Sequence, residues 1–293
     1  MARAALSGDP LAHALRPPRP GDGAFRRPYR AGPLTRAALT VALIAALALG
    51  GRSSTASAVA QSEVPTYGVE IVGNRPHDPE AFTQGLVFHE GVLYESTGLH
   101  GRSSVRKVDV ETGRVLARRS VPRQHFAEGL TIFQGRVVQL TWQSQKGFVY
   151  DLGFRLTREF AYVGEGWGLT HDGTSLIMSD GTARLRFLDP ATFAVRRVLD
   201  VSDAGRPVES LNELELVRGE IYANVWPTDW IVRIDPASGR VVGRVDLTGL
   251  LAPHERRGNE DVANGIAYDA SADRLFLTGK LWPRLYEVRL RRR

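Results

Sequence analysis

From about residue 66 onward, apolar stretches of five to seven residues alternate with clusters of Gly, Asp and Ser. Strands of that length, bounded by turn residues, read as an antiparallel meander rather than as helices. The first unit shows the pattern in full. Gly85–His89 is a short apolar strand, Glu90-Gly91 turns it, and Val92–Thr97 returns. Ser104–Val110 alternates as a third strand, Glu111-Thr112-Gly113 turns again, and Arg114–Val121 is a fourth. A second turn signal recurs at Asp109, Asp151, Asp189 and Asp235, with Asp-Pro-Ala-Thr-Phe and Asp-Pro-Ala-Ser-Gly at the last two. Pro after Asp presets a turn, and Gly accepts the positive φ that closes one.

The unit repeats. A polar or aromatic residue leads each copy: Gln84-Gly85-Leu86, Glu128-Gly129-Leu130, Trp167-Gly168-Leu169, Asn212-Glu213-Leu214 and Asn264-Gly265-Ile266, at intervals of 44, 39, 45 and 52 residues. A β-rich repeat of that period is a propeller signature. The expected fold is therefore all-β, a five-bladed propeller. The fifth unit ends with three strands, Ile266–Tyr268, Arg274–Thr278 and Leu285–Leu290, and Tyr67–Asn74 is the alternating segment able to supply the fourth. That pairing would close the ring and remove open edges. In such a ring the leads Gln84, Glu128, Trp167, Asn212 and Asn264 enter the channel at one mouth. The ends of the second strands return there, carrying Glu95-Ser96-Thr97, Thr141-Trp142, Ser179-Asp180, Val225-Trp226 and Gly279-Lys280.

Charge alters the picture only at the N-terminus. Eight of the 38 basic residues but only two of the 32 acidic ones fall in residues 1–60, so the remaining chain is balanced. A nucleic-acid-binding body is not indicated. Residues 1–60 read as an exported leader: an Arg- and Pro-rich start, an uncharged run from Ala37 to Leu49 too short for a comfortable span, and Ala58-Val59-Ala60 as a cleavage pattern. An uncleaved leader would instead anchor the protein to a membrane. Residues 61–293 then form the catalytic domain, expected to act as a monomer in the periplasm or outside the cell. With no cysteine in the chain, disulfides, a thiol nucleophile and a cysteine zinc site are excluded.

The rim gathers residue types that suit acid–base chemistry on a small guest. Glu128 among aromatics loses hydration, which raises the pKa of a carboxyl group. Lys280 is one of three Lys in a chain that otherwise prefers Arg, a compact titratable cation. Trp142, Trp167 and Trp226 can wall a pocket, and Gln84 and Asn212 can orient a polar group. The histidines show no metal-ligand spacing, Asp180-Gly181 reads as a turn, and Arg106 reads as an outer-strand surface or ion-pair residue.

At these residues the sequence resembles the glutamine cyclotransferase family, the plant and bacterial type of glutaminyl-peptide cyclotransferase. The resemblance is carried by Phe82-Thr83-Gln84-Gly85-Leu86, Tyr94-Glu95-Ser96-Thr97-Gly98-Leu99, Gly101-Arg102-Ser103-Ser104-Val105-Arg106, Glu128-Gly129-Leu130-Thr131, Gly166-Trp167-Gly168-Leu169, Leu211-Asn212-Glu213-Leu214-Glu215 and Thr278-Gly279-Lys280-Leu281-Trp282-Pro283. It implies a five-bladed propeller that converts an N-terminal Gln of peptides to pyroglutamate with release of ammonia, without a metal cofactor. It makes Glu128 the acid/base carboxylate and places Gln84, Trp142, Trp167, Asn212, Trp226 and Lys280 in the substrate pocket, with Phe82 beside them. Lys280 or Asn212 would stabilise the oxyanion. Two other readings stay open from the residues alone. One is a lactonase-like propeller holding Ca²⁺ on channel oxygens such as Glu128, Asn212 and Asn264, and a non-catalytic Ca²⁺ in the channel is compatible even with the cyclotransferase. The other is a non-catalytic exported propeller that binds peptides.

Overall fold

The computed structural model describes residues 63–293. The leader expected over residues 1–60, with its cleavage site, lies outside the described residues. Residues 61–293 group as one unit, and the all-β class expected from the sequence is what its described part forms. Among the described residues helix is limited to the 3₁₀ turn Pro253–Glu255.

In chain order the strands are β1 (Thr66–Pro76), β2 (Thr83–His89), β3 (Val92–Thr97), β4 (Ser104–Asp109), β5 (Val115–Ser120), β6 (Ala127–Phe133), β7 (Arg136–Thr141), β8 (Lys146–Asp151) and β9 (Leu156–Ala161). There follow β10 (Leu169–His171), β11 (Leu176–Ser179), β12 (Arg184–Leu188), β13 (Val195–Asp200), β14 (Ser202–Asp203), β15 (Arg206–Pro207), β16 (Leu211–Val217) and β17 (Glu220–Val225). The last are β18 (Trp230–Ile234), β19 (Val241–Asp246), β20 (Ala263–Asp269), β21 (Arg274–Gly279) and β22 (Arg284–Arg292). Strands β2–β5, β6–β9 and β10–β13 are separate four-stranded antiparallel sheets. A larger sheet runs β16-β17-β18-β19-β1-β22-β21-β20. Within it β1 lies antiparallel along β22, from Tyr67 opposite Arg292 to Pro76 opposite Arg284. It also makes a short parallel ladder with β19, Thr66–Gly68 against Arg244–Asp246, which the sequence reading did not anticipate. Ser202–Pro207 adds a two-rung hairpin, equally unanticipated.

Local chemistry explains the meanders. The tight turns after β2, β6 and β16 place two residues at positive φ in succession, Glu90-Gly91, Gln134-Gly135 and Arg218-Gly219, as two-residue hairpins of the right twist require. The Asp turns are held by their own carboxylates: Asp109 accepts from Thr112 N–H at 2.8 Å, and Asp189 from Ala191 and Thr192 N–H at 2.8 and 2.7 Å.

The strands β2, β6, β10, β16 and β20 touch in a closed cycle, each against the next and β20 against β2. Their approach is close enough to demand glycine. A Cβ on Gly168 would lie 2.0 Å from the Asn212 carbonyl oxygen, and one on Gly129 would lie 2.6 Å from that of Trp167. The apolar core is divided in the same way. One buried cluster joins the β2–β5 and β6–β9 sheets (Tyr94, Val105, Leu130, Phe148), and another joins β6–β9 to β10–β13 (Leu140, Phe160, Met178, Phe193). Three more join the remaining neighbours in turn, the last returning to β2 through Leu86, Phe276 and Leu285.

Candidate active site

Glu128 enters on the second residue of β6 and is buried, with only 5% of its surface exposed. Its Oε1 accepts a hydrogen bond from Gln84 Nε2 at 3.0 Å, across from β2. Gln84 is oriented in turn, its Oε1 accepting from Asn264 Nδ2 at 3.3 Å, while the same Nδ2 donates to the Thr83 carbonyl at 3.0 Å. Three of the five repeat leads are thus wired together. Burial pushes the Glu128 carboxyl well above the usual carboxylate range; the Lys280 ammonium pulls it back, and the charge of Glu165 adds to the rise.

Lys280 follows β21 and is equally buried. Its Nζ stands 5.1 Å from the centroid of the Phe82 ring. Burial lowers its pKa, against the pull of Glu128 and then Asp261. The two groups therefore pull each other toward the charged state while desolvation opposes both. Desolvation is the larger effect on each.

Around this pair runs an arc of rings. Phe82 meets Phe126 edge-on at 6.1 Å, and Phe126 meets Trp142 at 5.8 Å. On the far side Trp167 and Trp226 are T-shaped at 6.0 Å. The three indoles are half-buried. Joining the two halves is Glu165, whose Oε2 accepts from Trp142 Nε1 at 2.7 Å and from Trp167 Nε1 at 2.9 Å.

The structure thus brings Glu128, Gln84, Lys280 and Phe82 into one electrostatic and packing group, with Trp142, Trp167 and Trp226 linked through Phe126 and Glu165. Asn212 is buried on β16, and its Oδ1 has no hydrogen-bond partner among the described residues. Its backbone carbonyl accepts from Ser179 Oγ at 2.6 Å. Asp180 is tied to Thr182 and to Arg186, 3.2 Å away, and so braces a turn, as its Asp-Gly context suggests.

Three contributors were missed from sequence. Phe126 lies just before β6 and continues the ring arc. Glu165 sits in an irregular loop outside the repeat pattern. The third is a buried ion network, which seals Glu95 away from the rim where the sequence placed it. Arg106 Nε donates to Glu95 Oε2 at 3.1 Å and Nη1 to Asp78 at 2.6 Å, while His77 Nε2 lies 3.0 Å from Glu95 Oε1. His77 Nδ1 lies 2.7 Å from the Trp282 carbonyl, and Thr83 Oγ1 donates to Glu95 at 2.7 Å. This network ties the loop after Lys280 to the strand that carries Gln84. Arg106 is therefore an ion-pair residue but a buried one, only 5% exposed.

Among the described residues no three His, Cys, Asp or Glu are grouped to hold a metal. Of the inner-strand carboxylates, Glu213 accepts from Leu86 and Ile266 N–H at 3.2 and 2.9 Å, and burial pushes Glu215 up to about 8.

Comparison with known proteins identifies the family. The glutamine cyclotransferase family profile matches residues 43–290. A glutaminyl-peptide cyclotransferase of Arabidopsis thaliana is 45% identical over 228 residues, covering 76% of this chain and 71% of that protein. The crystal structure of Myxococcus xanthus glutaminyl cyclase matches with a TM-score of 0.74 and 40% identity, covering 79% of this chain and 100% of that one. A profile match over most of the chain, with identity at this level, places the sequence in one family: the chain belongs to the glutamine cyclotransferases.

Proposed function

We infer that the protein is a glutaminyl-peptide cyclotransferase, an acyltransferase that closes the N-terminal Gln of a peptide to pyroglutamate and releases ammonia, with Glu128 carrying the proton. The observation that carries the reading is a buried carboxylate, hydrogen-bonded by Gln84, in the field of Lys280 and beside an aromatic arc. In the reaction the neutral α-amine attacks the side-chain carboxamide carbon. The new C–N bond forms as the amine gives its proton to Glu128, and the carbonyl electrons move onto oxygen. The oxyanion then collapses, the old C–N bond breaks, and Glu128 returns the proton to the departing nitrogen, which leaves as ammonia. A carboxyl whose proton affinity is raised by burial suits both transfers. The free α-amine has a pKa of about 8, so a working fraction is neutral near pH 7.

Lys280 stabilises the oxyanion, an effect of about 3 kcal/mol for a well-aimed donor. The Asn212 amide, with its partnerless Oδ1, holds the substrate carboxamide. Phe82, Trp142, Trp167 and Trp226 fold the Gln side chain back on its own amine and exclude water. The architecture proposed is a five-bladed propeller whose last blade is completed by β1. Its supports are the cyclic contacts of β2, β6, β10, β16 and β20 and the antiparallel ladder of β1 with β22. The protein is expected to act as a monomer. Export is proposed from the sequence of residues 1–60, with membrane attachment only where that leader is retained.

The test is ammonia release from a Gln-initiated peptide, beside a Glu-initiated and an N-acetylated one, with and without chelator. Turnover of the first peptide alone, unaffected by chelator, is expected. Saturable peptide binding without ammonia points to a non-catalytic binding protein, and chelator-sensitive turnover points to metal chemistry.

A further inference from the structure

Resting on that reading, we propose that Glu165 is a positioning residue: one of its carboxylate oxygens sets the angle between the Trp142 and Trp167 indoles. The two indoles come from different sheets. Trp142 follows β7, and Trp167 precedes β10. No direct ring contact between them is needed, because Glu165 Oε2 takes both N–H groups, at 2.7 and 2.9 Å. Gln143 Nε2 donates to the other oxygen at 3.0 Å. Hydrogen bonds to an ionised acceptor are short and stronger than neutral ones, and an indole N–H seeks a partner when buried.

The loop that carries Glu165 is itself clamped. Arg186 donates to the Glu165 carbonyl at 2.8 Å and to the Val163 carbonyl, and it pairs with Asp180 at 3.2 Å. Gly166 N–H donates to the Trp142 carbonyl at 3.0 Å. So many restraints converge on a loop whose neighbour Val163 is 80% exposed. A surface loop needs no such bracing for its own sake. What it holds still is a carboxylate between two walls of the pocket.

The charge of Glu165 also acts on Glu128, with a defined sign. Gln84 from β2 bonds to Glu128, and the charges of Lys280 after β21 and Glu165 in the β9–β10 loop act on it, while Glu128 acts in turn on the Tyr162 hydroxyl, which bonds to Thr141. Asp261 acts on Lys280 in turn. Of these Glu165 is the anion that favours the protonated form of Glu128, and Lys280 opposes it. Neutralising Glu165 must therefore move the acidic limb of the kcat profile to lower pH.

The experiment compares full-length Glu165→Gln and Glu165→Ala with wild type on a Gln-initiated peptide across pH, with a melting curve for each. The Gln variant keeps an acceptor for the indoles and loses the charge. It should hold KM within about threefold while its acidic limb shifts to lower pH. The Ala variant loses both indole bonds, and its KM should rise about tenfold, the equivalent of one good hydrogen bond to a charged group. Wild-type KM in a folded Ala variant, or a Gln variant whose KM rises as far as that of the Ala variant, overturns the proposal. Should the wild type itself release no ammonia, the catalytic reading fails separately. Indole fluorescence on adding peptide then still reads the positioning claim: the Ala variant must lose the wild-type response, and an unchanged response overturns it.

Discussion

Replacing Gly181 by Ala perturbs the pocket wall without touching any group that handles protons. Gly181 has φ of +79°, and a Cβ there would lie 2.7 Å from Trp167 Cζ2 and 2.9 Å from Cε2 and Cη2. Carbon atoms are comfortable at about 3.7 Å, so the indole must retreat by about 1 Å. It cannot do so freely. Its Nε1 is bonded to Glu165 at 2.9 Å, and its ring packs edge-on against Trp226. Misplacing a positioning group by about 1 Å can cost on the order of 100-fold in rate. The left-handed backbone adds about 1–2 kcal/mol of strain for a residue with a Cβ. In a domain of this size that lowers Tm by roughly 2–8 °C. Steady-state ammonia release and a circular-dichroism melt read the two effects separately. A variant with lowered Tm but wild-type kcat/KM would show that Trp167 is not part of the substrate wall, and the aromatic-cage argument would fail.

Three other outcomes follow from named contacts. Glu95→Gln should cost about 3 kcal/mol in urea unfolding at neutral pH, because it removes the one charge that buried Arg106 and His77 share and leaves Arg106 only Asp78; a loss under 1 kcal/mol would contradict the network. The sign with pH is fixed. Burial acts to raise Glu95, but Arg106 and His77 outweigh it and hold it low, so its contribution is present above its ordinary 4.5 and lost on acidification. Burial acts to lower His77, but Glu95 holds it above 6.5, so its contribution is present below 6.5 and lost as pH rises through the raised value. Lys280→Met should lower kcat by about 10²–10³ and move the acidic limb to higher pH, opposite to Glu165→Gln, because the cation that favours ionised Glu128 is gone; a limb moving the other way would refute the coupling. If the proposed leader is cleaved after Ala60, the new N-terminus is Gln61, and intact-mass analysis of the mature protein should find pyroglutamate there rather than free Gln.

The strand plan was legible because each strand is bounded by residues with a conformational job. Val92–Thr97 was read to the residue, and the Asp turns at 109 and 189 fall where their carboxylates close them. The role of Tyr67–Asn74 beside β22 was legible by subtraction, since the last unit lacked a strand. The parallel ladder of β1 with β19 was not, because its partner is chosen by the neighbouring sheet and not by sequence distance. Gln84, Glu128 and Lys280 could be grouped because the repeat maps equivalent positions onto one end of the strands. Glu165 carries no such periodic mark: a Glu in a Gly-flanked loop looks like a solvated turn residue until both indole N–H groups are seen to end on it. His77 and Arg106 look equally ordinary in one dimension. Their meaning lies in Glu95, which stands 18 residues from one and 11 from the other.

The most direct measurement on the central claim is kcat for Glu128→Gln with peptide binding determined separately. An amide at this position still offers Gln84 an acceptor but cannot carry a proton between two nitrogens. The account predicts a fall in kcat of about 10²–10⁴ with peptide affinity within about threefold of wild type. Wild-type kcat in that variant would mean that another group moves the proton.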